Sequence, residues 1–167
     1  MISPHTTDFD RLRQLLNDET FMDIAQWKHV ASFSDLRKVR RSACDFAGKG
    51  GIYSIIDADG HVAYIGKASC LYNRLSSHSK ALIGGDKLKA PAWDQFFTSI
   101  RQDGLVARYI FIEGFSSNTE EYARQVIERA LQIKYNPYFD DLYKRKVVLD
   151  DFDTKLASVK ALISNSL

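Results

Sequence analysis

At 167 residues, with 45% hydrophobic and 26% charged residues, the chain has the length and mixture of one globular domain with short extensions, not of a disordered segment. No run of about 18 apolar residues is present, so a membrane-spanning helix is not read, and no basic stretch leads into an apolar run at the N-terminus as a cleaved secretory signal requires. The net charge of +2, from 23 Lys+Arg against 21 Asp+Glu, is too small to name a polyanionic partner from composition, because steering depends on where the charge sits.

Residues 1–47 read as a helical extension. Asp8 can cap a segment with Phe9, Leu12, Leu15 and Leu16 at helical spacing, and Phe21, Ile24 and Trp27 follow as a second apolar set. Residues 34–41, SDLRKVRR, have a Ser34 cap and a local excess of base that includes Arg40 and Arg41. Cys44 and Cys70 have no His or Cys partner at zinc-ligand spacing, so neither a disulfide scaffold nor a structural zinc site is suggested. Reduced thiols in a cytoplasm fit best.

Gly48-Lys49-Gly50-Gly51 breaks the helical pattern ahead of an apolar strand, Ile52-Tyr53-Ser54-Ile55-Ile56. Asp57-Ala58-Asp59-Gly60 supplies turn chemistry, and residues 61–66 alternate as a second strand, which makes an antiparallel hairpin. The glycine cluster is not a phosphate loop: no Lys-Ser or Lys-Thr follows, and a strand stands where that motif needs a helix. From Ser69 the pattern turns helical, with Leu71 and Leu75 on one stripe and Arg74 and His78 four apart on a shared face. A loop over residues 82–90 carries Lys87 and Lys89, close after Lys80, and Pro91 opens another helix with Trp93, Phe96, Phe97 and Ile100 on its apolar side. Residues 106–112 form a third strand. Asn118 or Thr119 begins a long helix with Glu120 and Glu121 in its first turn and Pro137 past its end, and residues 150–163 close as an amphipathic helix. The resulting class is α+β: a small three-stranded, mostly antiparallel sheet flanked by helices, since the order lacks the alternation of a doubly wound sheet.

Gly51-Ile52-Tyr53 and Tyr64-Ile65-Gly66 on the paired strands, Arg74 and His78 on the next helix, and Glu128 in the late segment ERALQIKYNP together resemble the GIY-YIG nuclease superfamily over residues 49–141. The resemblance implies a catalytic domain over residues 48–141, with helical extensions at 1–47 and 142–167. It implies a phosphodiesterase acting on nucleic acid, normally DNA with RNA left open, with one divalent ion, Mg²⁺ or Mn²⁺. The catalytic set it implies is Tyr53, Tyr64, Arg74, His78 and Glu128, with Asp140 and Lys67 as further candidates. In that set Glu128 holds the metal, Arg74 grips the scissile phosphate as a planar fork, Tyr64 orients the nucleophile or the phosphate, and either Tyr53 or His78 activates water.

Lys67, Lys80, Lys87, Lys89, Arg40 and Arg41 are candidate nucleic-acid contacts, expected on one face with Arg74 while acids gather at 8–19 and 140–153. One departure stands out: where the family ends in Pro-x-Tyr-Asn, this chain has Pro137-Tyr138-Phe139-Asp140, which keeps an acceptor oxygen, loses the amide donor and adds charge. That favours an alternative reading, a weakened nuclease fold that binds nucleic acid or a protein partner without cleaving. As an enzyme, a compact stand-alone restriction, defence, mobile-element or effector nuclease is expected, cytoplasmic, monomeric or homodimeric.

Overall fold

The structure is a computed structural model that describes residues 7–30, 33–82 and 104–139. The helix expected from Pro91, the C-terminal helix, and Lys87, Lys89 and Asp140 lie outside the described residues.

Helix α1 (Asp8–Leu16) is capped by Thr7, whose hydroxyl accepts from the Asp10 amide, and not by Asp8 as its sequence suggests. Asp8 is committed elsewhere: its carboxylate accepts from the Ser116 amide at 3.2 Å and from the Ser116 and Thr119 hydroxyls, at the start of the late helix. That contact staples α1 across the molecule, puts a carboxylate where the helix dipole favours one, and holds the Asp8 carboxyl below its ordinary value. The second apolar set does not continue as α-helix. Ile24–Gln26 is a single 3₁₀ turn, after which Lys28–Val30 extends as strand β1. Further 3₁₀ turns span Phe33–Lys38 and Arg41–Ala43.

Strands β2 (Gly51–Ile56) and β3 (Val62–Ala68) make the expected hairpin. In its turn the Asp57 carboxylate accepts from the Asp59 and His61 amides, and Gly60 takes the positive φ of +85° that side chains disfavour. Helix α2 (Leu71–Leu82), strand β4 (Val106–Phe111) and helix α3 (Ser117–Tyr135) follow, α3 starting from a Ser116 cap slightly earlier than its sequence suggests.

The sheet is antiparallel with order β1-β4-β2-β3, so among the described residues it carries four strands where three were expected. The extra edge strand comes from the stretch read as helical. Its three residues alternate too briefly to signal a strand, and pairing with β4 supplies the hydrogen bonds that hold it extended.

Each face of the sheet buries its own core. Tyr53, Ile55 and Tyr109 pack with Leu71, Leu75, Leu36 and Phe46 on the α2 side. Ile52 and Ile65 pack with Ile127, Leu131, Trp27 and Leu12 on the α3 side. Among the described residues no helix is long and apolar enough to cross a membrane.

Candidate active site

The site is built at the hairpin. Period-2 geometry sends Tyr53 to the α2 face, opposite Gly66 on β3, and the two residues need each other. A Cβ added at Gly66 would lie 2.5 Å from Tyr53 Oη and 2.7 Å from Tyr64 Cε1, so any larger residue would occupy the space of the phenol. Gly51 is constrained more severely, since its added Cβ would lie 2.0 Å from the carbonyl oxygen of Ile110. The glycines of both tripeptides are therefore set by close approach, of backbone at one end and of an aromatic ring at the other.

His78 comes down from α2 to meet Tyr53. Leu71, Leu75, His78 and Leu82 form the buried stripe of that helix, so the histidine sits where a core residue would, 5% exposed. Its Nε2 lies 2.7 Å from the Tyr53 hydroxyl, and the ring centroids are 5.4 Å apart. Tyr64 completes an aromatic trio, 5.9 Å from Tyr53 and 6.0 Å from His78. Phe139 closes the trio from the other side, 6.0 Å from Tyr64, with its amide bonded to the Ala63 carbonyl on the outer edge of β3.

Burial sets the protonation of the pair. It pushes the Tyr53 phenol well above its ordinary value; Tyr64 and Glu128 act in the same direction, and Arg74 opposes them. Burial, with the charge of Arg74 second, pulls His78 down to about 3. Phenol and imidazole are thus both neutral around pH 7, joined by one short hydrogen bond.

Glu128 acts electrostatically on Tyr53 from α3, which packs against β3. Two adjacent rows on that helix are buried: Ala123, Ile127 and Leu131 in one, and Arg124, Glu128 and Gln132 in the other. The second row is polar throughout. Arg124 bonds Glu120 at 2.8 Å and Glu121 at 2.9 Å and stands against Gly50, where an added Cβ would meet its Nη1 at 2.8 Å. Gln132 donates to the Ile65 carbonyl at 3.4 Å. Arg124 and Gln132 thus fix the helix on either side of Glu128, one against the entry to β2 and the other against the edge of β3. Neither was singled out from sequence. Their spacing of four from Glu128 was the available signal, and nothing local distinguishes it from a solvated helix face.

Arg74 is exposed while His78 is buried, although they share a helix face, because a long arginine can root beside the core and carry its charge to the rim. It lines a cavity of about 180 Å³ with Ala68, Ser69, Cys70, Asn73 and Ser77. Lys67 pairs with Glu121, so a phosphate would have to compete with that carboxylate. Lys80, Arg40 and Arg41 are exposed.

The donor chemistry at Glu128 suits a hard divalent cation: one carboxylate, 5% exposed and within electrostatic reach of the Tyr53 phenol, leaving the remaining ligand places to water and substrate oxygens. A separate group, Asp57, Asp59 and His61, brings its ligand atoms within 4.8 Å of one another at the hairpin turn. There Asp57 already accepts two backbone amides and the Tyr138 hydroxyl, which binds it to the turn.

Residues 49–140, more than half of the chain, match the family model described as the GIY-YIG catalytic domain. No curated protein and no solved structure matches the chain.

Proposed function

The chain belongs to the GIY-YIG family, whose catalytic domains are nuclease domains, and on that premise we propose that it is an endonuclease hydrolysing phosphodiester bonds in DNA with a divalent cation. The observation that carries this reading is the 2.7 Å contact between Tyr53 and His78, placed within electrostatic reach of Glu128 and Arg74.

In this reading Tyr53 acts as a phenolate, its own proton lost to solvent, and takes a proton from the attacking water; in the resting protein His78 accepts the phenol's hydrogen bond at Nε2. The acceptor role requires the tautomer with hydrogen on Nδ1, which a neutral buried imidazole can adopt. Arg74 binds the scissile phosphate from the cavity beside it, and Tyr64 packs Tyr53 into line. Glu128 would hold the cation, with Mg²⁺ or Mn²⁺ the expected ions; when bound, it supplies Lewis-acid neutralisation of charge on the phosphoryl and leaving oxygens.

A definite pH profile follows. The reactive form of Tyr53 lacks its proton, and burial raises its pKa, so its fraction climbs about tenfold per pH unit throughout the range below that pKa. His78, held at about 3, contributes no inflection between pH 5 and 9. Initial rates on a fluorescent duplex in Mg²⁺ are expected to give log kcat/KM rising with slope about 1 from pH 6 to 9. A plateau reached through an inflection near pH 6.5 would instead identify a histidine of ordinary pKa as the base.

A second reading, binding without cleavage, is favoured by Asp140 in place of the family asparagine. Its signature is salt-dependent DNA affinity with no product at any pH.

A further inference from the structure

Several of the described cations are already paired with carboxylates. Lys28 pairs with Asp45, Lys49 with Glu113, Lys67 with Glu121, and Arg124 with Glu120 and Glu121. Arg40, Arg41 and Arg74 form no salt bridge among the described residues, and all three are exposed. They also lie along one stretch of surface. Arg40 and Arg41 line a concavity with Ser42, Ala47 and Gly48, and the Arg74 cavity includes Cys70. The two meet where Arg41 Nη2 approaches Cys70 Sγ at 3.7 Å. Among the described residues no carboxylate lines either one.

Arg41 is also held in place. Its guanidinium lies 5.7 Å from the centre of the Tyr72 ring, and the Tyr72 hydroxyl donates to the Val39 carbonyl, fixing the segment that carries the arginine to α2. The Leu71 amide bonds the Lys49 carbonyl at 2.9 Å and ties the far side of the same loop to the helix. A guanidinium restrained before its ligand arrives loses less entropy on binding, and its fork suits phosphate oxygens. Cys70 and Arg74 lie four residues apart, about 6 Å of helical rise, so Arg41 and Arg74 are placed to address neighbouring phosphates of one strand.

We propose that Arg41, with Arg40 beside it, is a second phosphate contact supplied from outside the matched catalytic domain, and that the substrate strand runs from the Arg74 cavity across Cys70 to this pair. The partner is a nucleic-acid backbone. The proposal rests on the nucleic-acid reading above and extends it to a segment before residue 49.

The test is duplex binding by fluorescence anisotropy across a salt series, in EDTA so that no strand is cut, using the full chain, Arg40→Ala/Arg41→Ala, Arg40→Lys/Arg41→Lys, and Lys28→Ala as a control for an exposed but paired cation. Each lost phosphate contact lowers the slope of log K against log salt by about 0.9. The double alanine variant is expected to lose nearly two from the slope and at least about tenfold in affinity, the lysine variant to keep most of the slope, and Lys28→Ala to keep all of it. In Mg²⁺ the double alanine variant should raise KM and hold kcat. An unchanged slope in a double alanine variant of normal Tm would overturn the proposal, as would polyglutamate displacing labelled duplex as well as unlabelled DNA does. A wild type that binds with the predicted slope and never cleaves would sink the nuclease reading and leave this one standing. Cleavage by wild type with an unaltered slope in the double variant would do the reverse.

Discussion

Tyr53→Phe is expected to lower kcat for DNA cleavage by about 10³-fold, within the range for a positioned general base, and to leave KM within about threefold of wild type. The substitution deletes one oxygen. That oxygen lies on a residue 1% exposed and makes the 2.7 Å contact with His78, so its removal takes away the base and leaves His78 Nε2 without this partner. Stranding a buried acceptor costs about 1–3 kcal/mol, and for a chain of this size each kcal/mol moves Tm by about 2–4 °C. The variant should therefore fold, melt a few degrees low, bind DNA normally and fail to cut. A Tyr53→Phe protein that cleaves within threefold of wild type would transfer the role of base to His78 or to solvent.

The second large effect comes from a residue with no side chain. Gly66→Ala places a methyl 2.5 Å from Tyr53 Oη, 2.6 Å from its Cζ and 2.7 Å from Tyr64 Cε1, all closer than real contacts allow. Neither ring can swing clear without cost, because Tyr53 sits on β2 between β3 and β4 and under α2, and Tyr64 is wedged between His78 and Phe139. Overpacking of this kind costs about 1–3 kcal/mol. The rate should fall further than stability suggests, because moving the phenol by about 1 Å can cost about 10²-fold.

A double substitution separates displacement from simple unfolding. Tyr53→Phe in the Gly66→Ala background removes the atom nearest the new methyl, so it should recover part of the lost Tm, whereas in wild type it lowers Tm. The two changes then couple with opposite sign to their separate effects, as contacting residues do. Gly66→Ala with wild-type activity would show that the phenol has no required position.

Much of this was legible in the sequence because it depends on local periodicity. The hairpin declared itself through alternating apolar residues around a turn rich in Asp and Gly, and α2 and α3 through apolar stripes. Tyr53, Tyr64 and His78, which the motif singles out with Arg74 and Glu128, stand together on the α2 side of the sheet. What escaped depends on contacts between distant segments. Strand β1 exists because β4 offers it an edge, and Thr7 caps α1 because Asp8 is drawn to Ser116 and Thr119. Arg124 and Gln132 are polar residues on a helix that becomes buried only because Gly50 admits one and the rim of β3 receives the other. Tyr138 and Phe139, noticed in the sequence only as neighbours of Asp140, anchor the hairpin turn and wall in Tyr64.

We propose that Glu128, within electrostatic reach of Tyr53, makes this a metal-dependent phosphodiesterase. The most direct measurement follows supercoiled plasmid in Mg²⁺ with wild type and with Glu128→Gln, which preserves shape and removes the charge. Wild type is expected to convert plasmid to nicked and linear forms and to stop on addition of EDTA. Glu128→Gln should be slower by at least about 10³-fold, the loss expected when about 4 kcal/mol of charge stabilisation disappears. Equal cleavage by the two proteins, or a wild type that binds DNA and leaves it intact in both Mg²⁺ and Mn²⁺, would contradict this proposal.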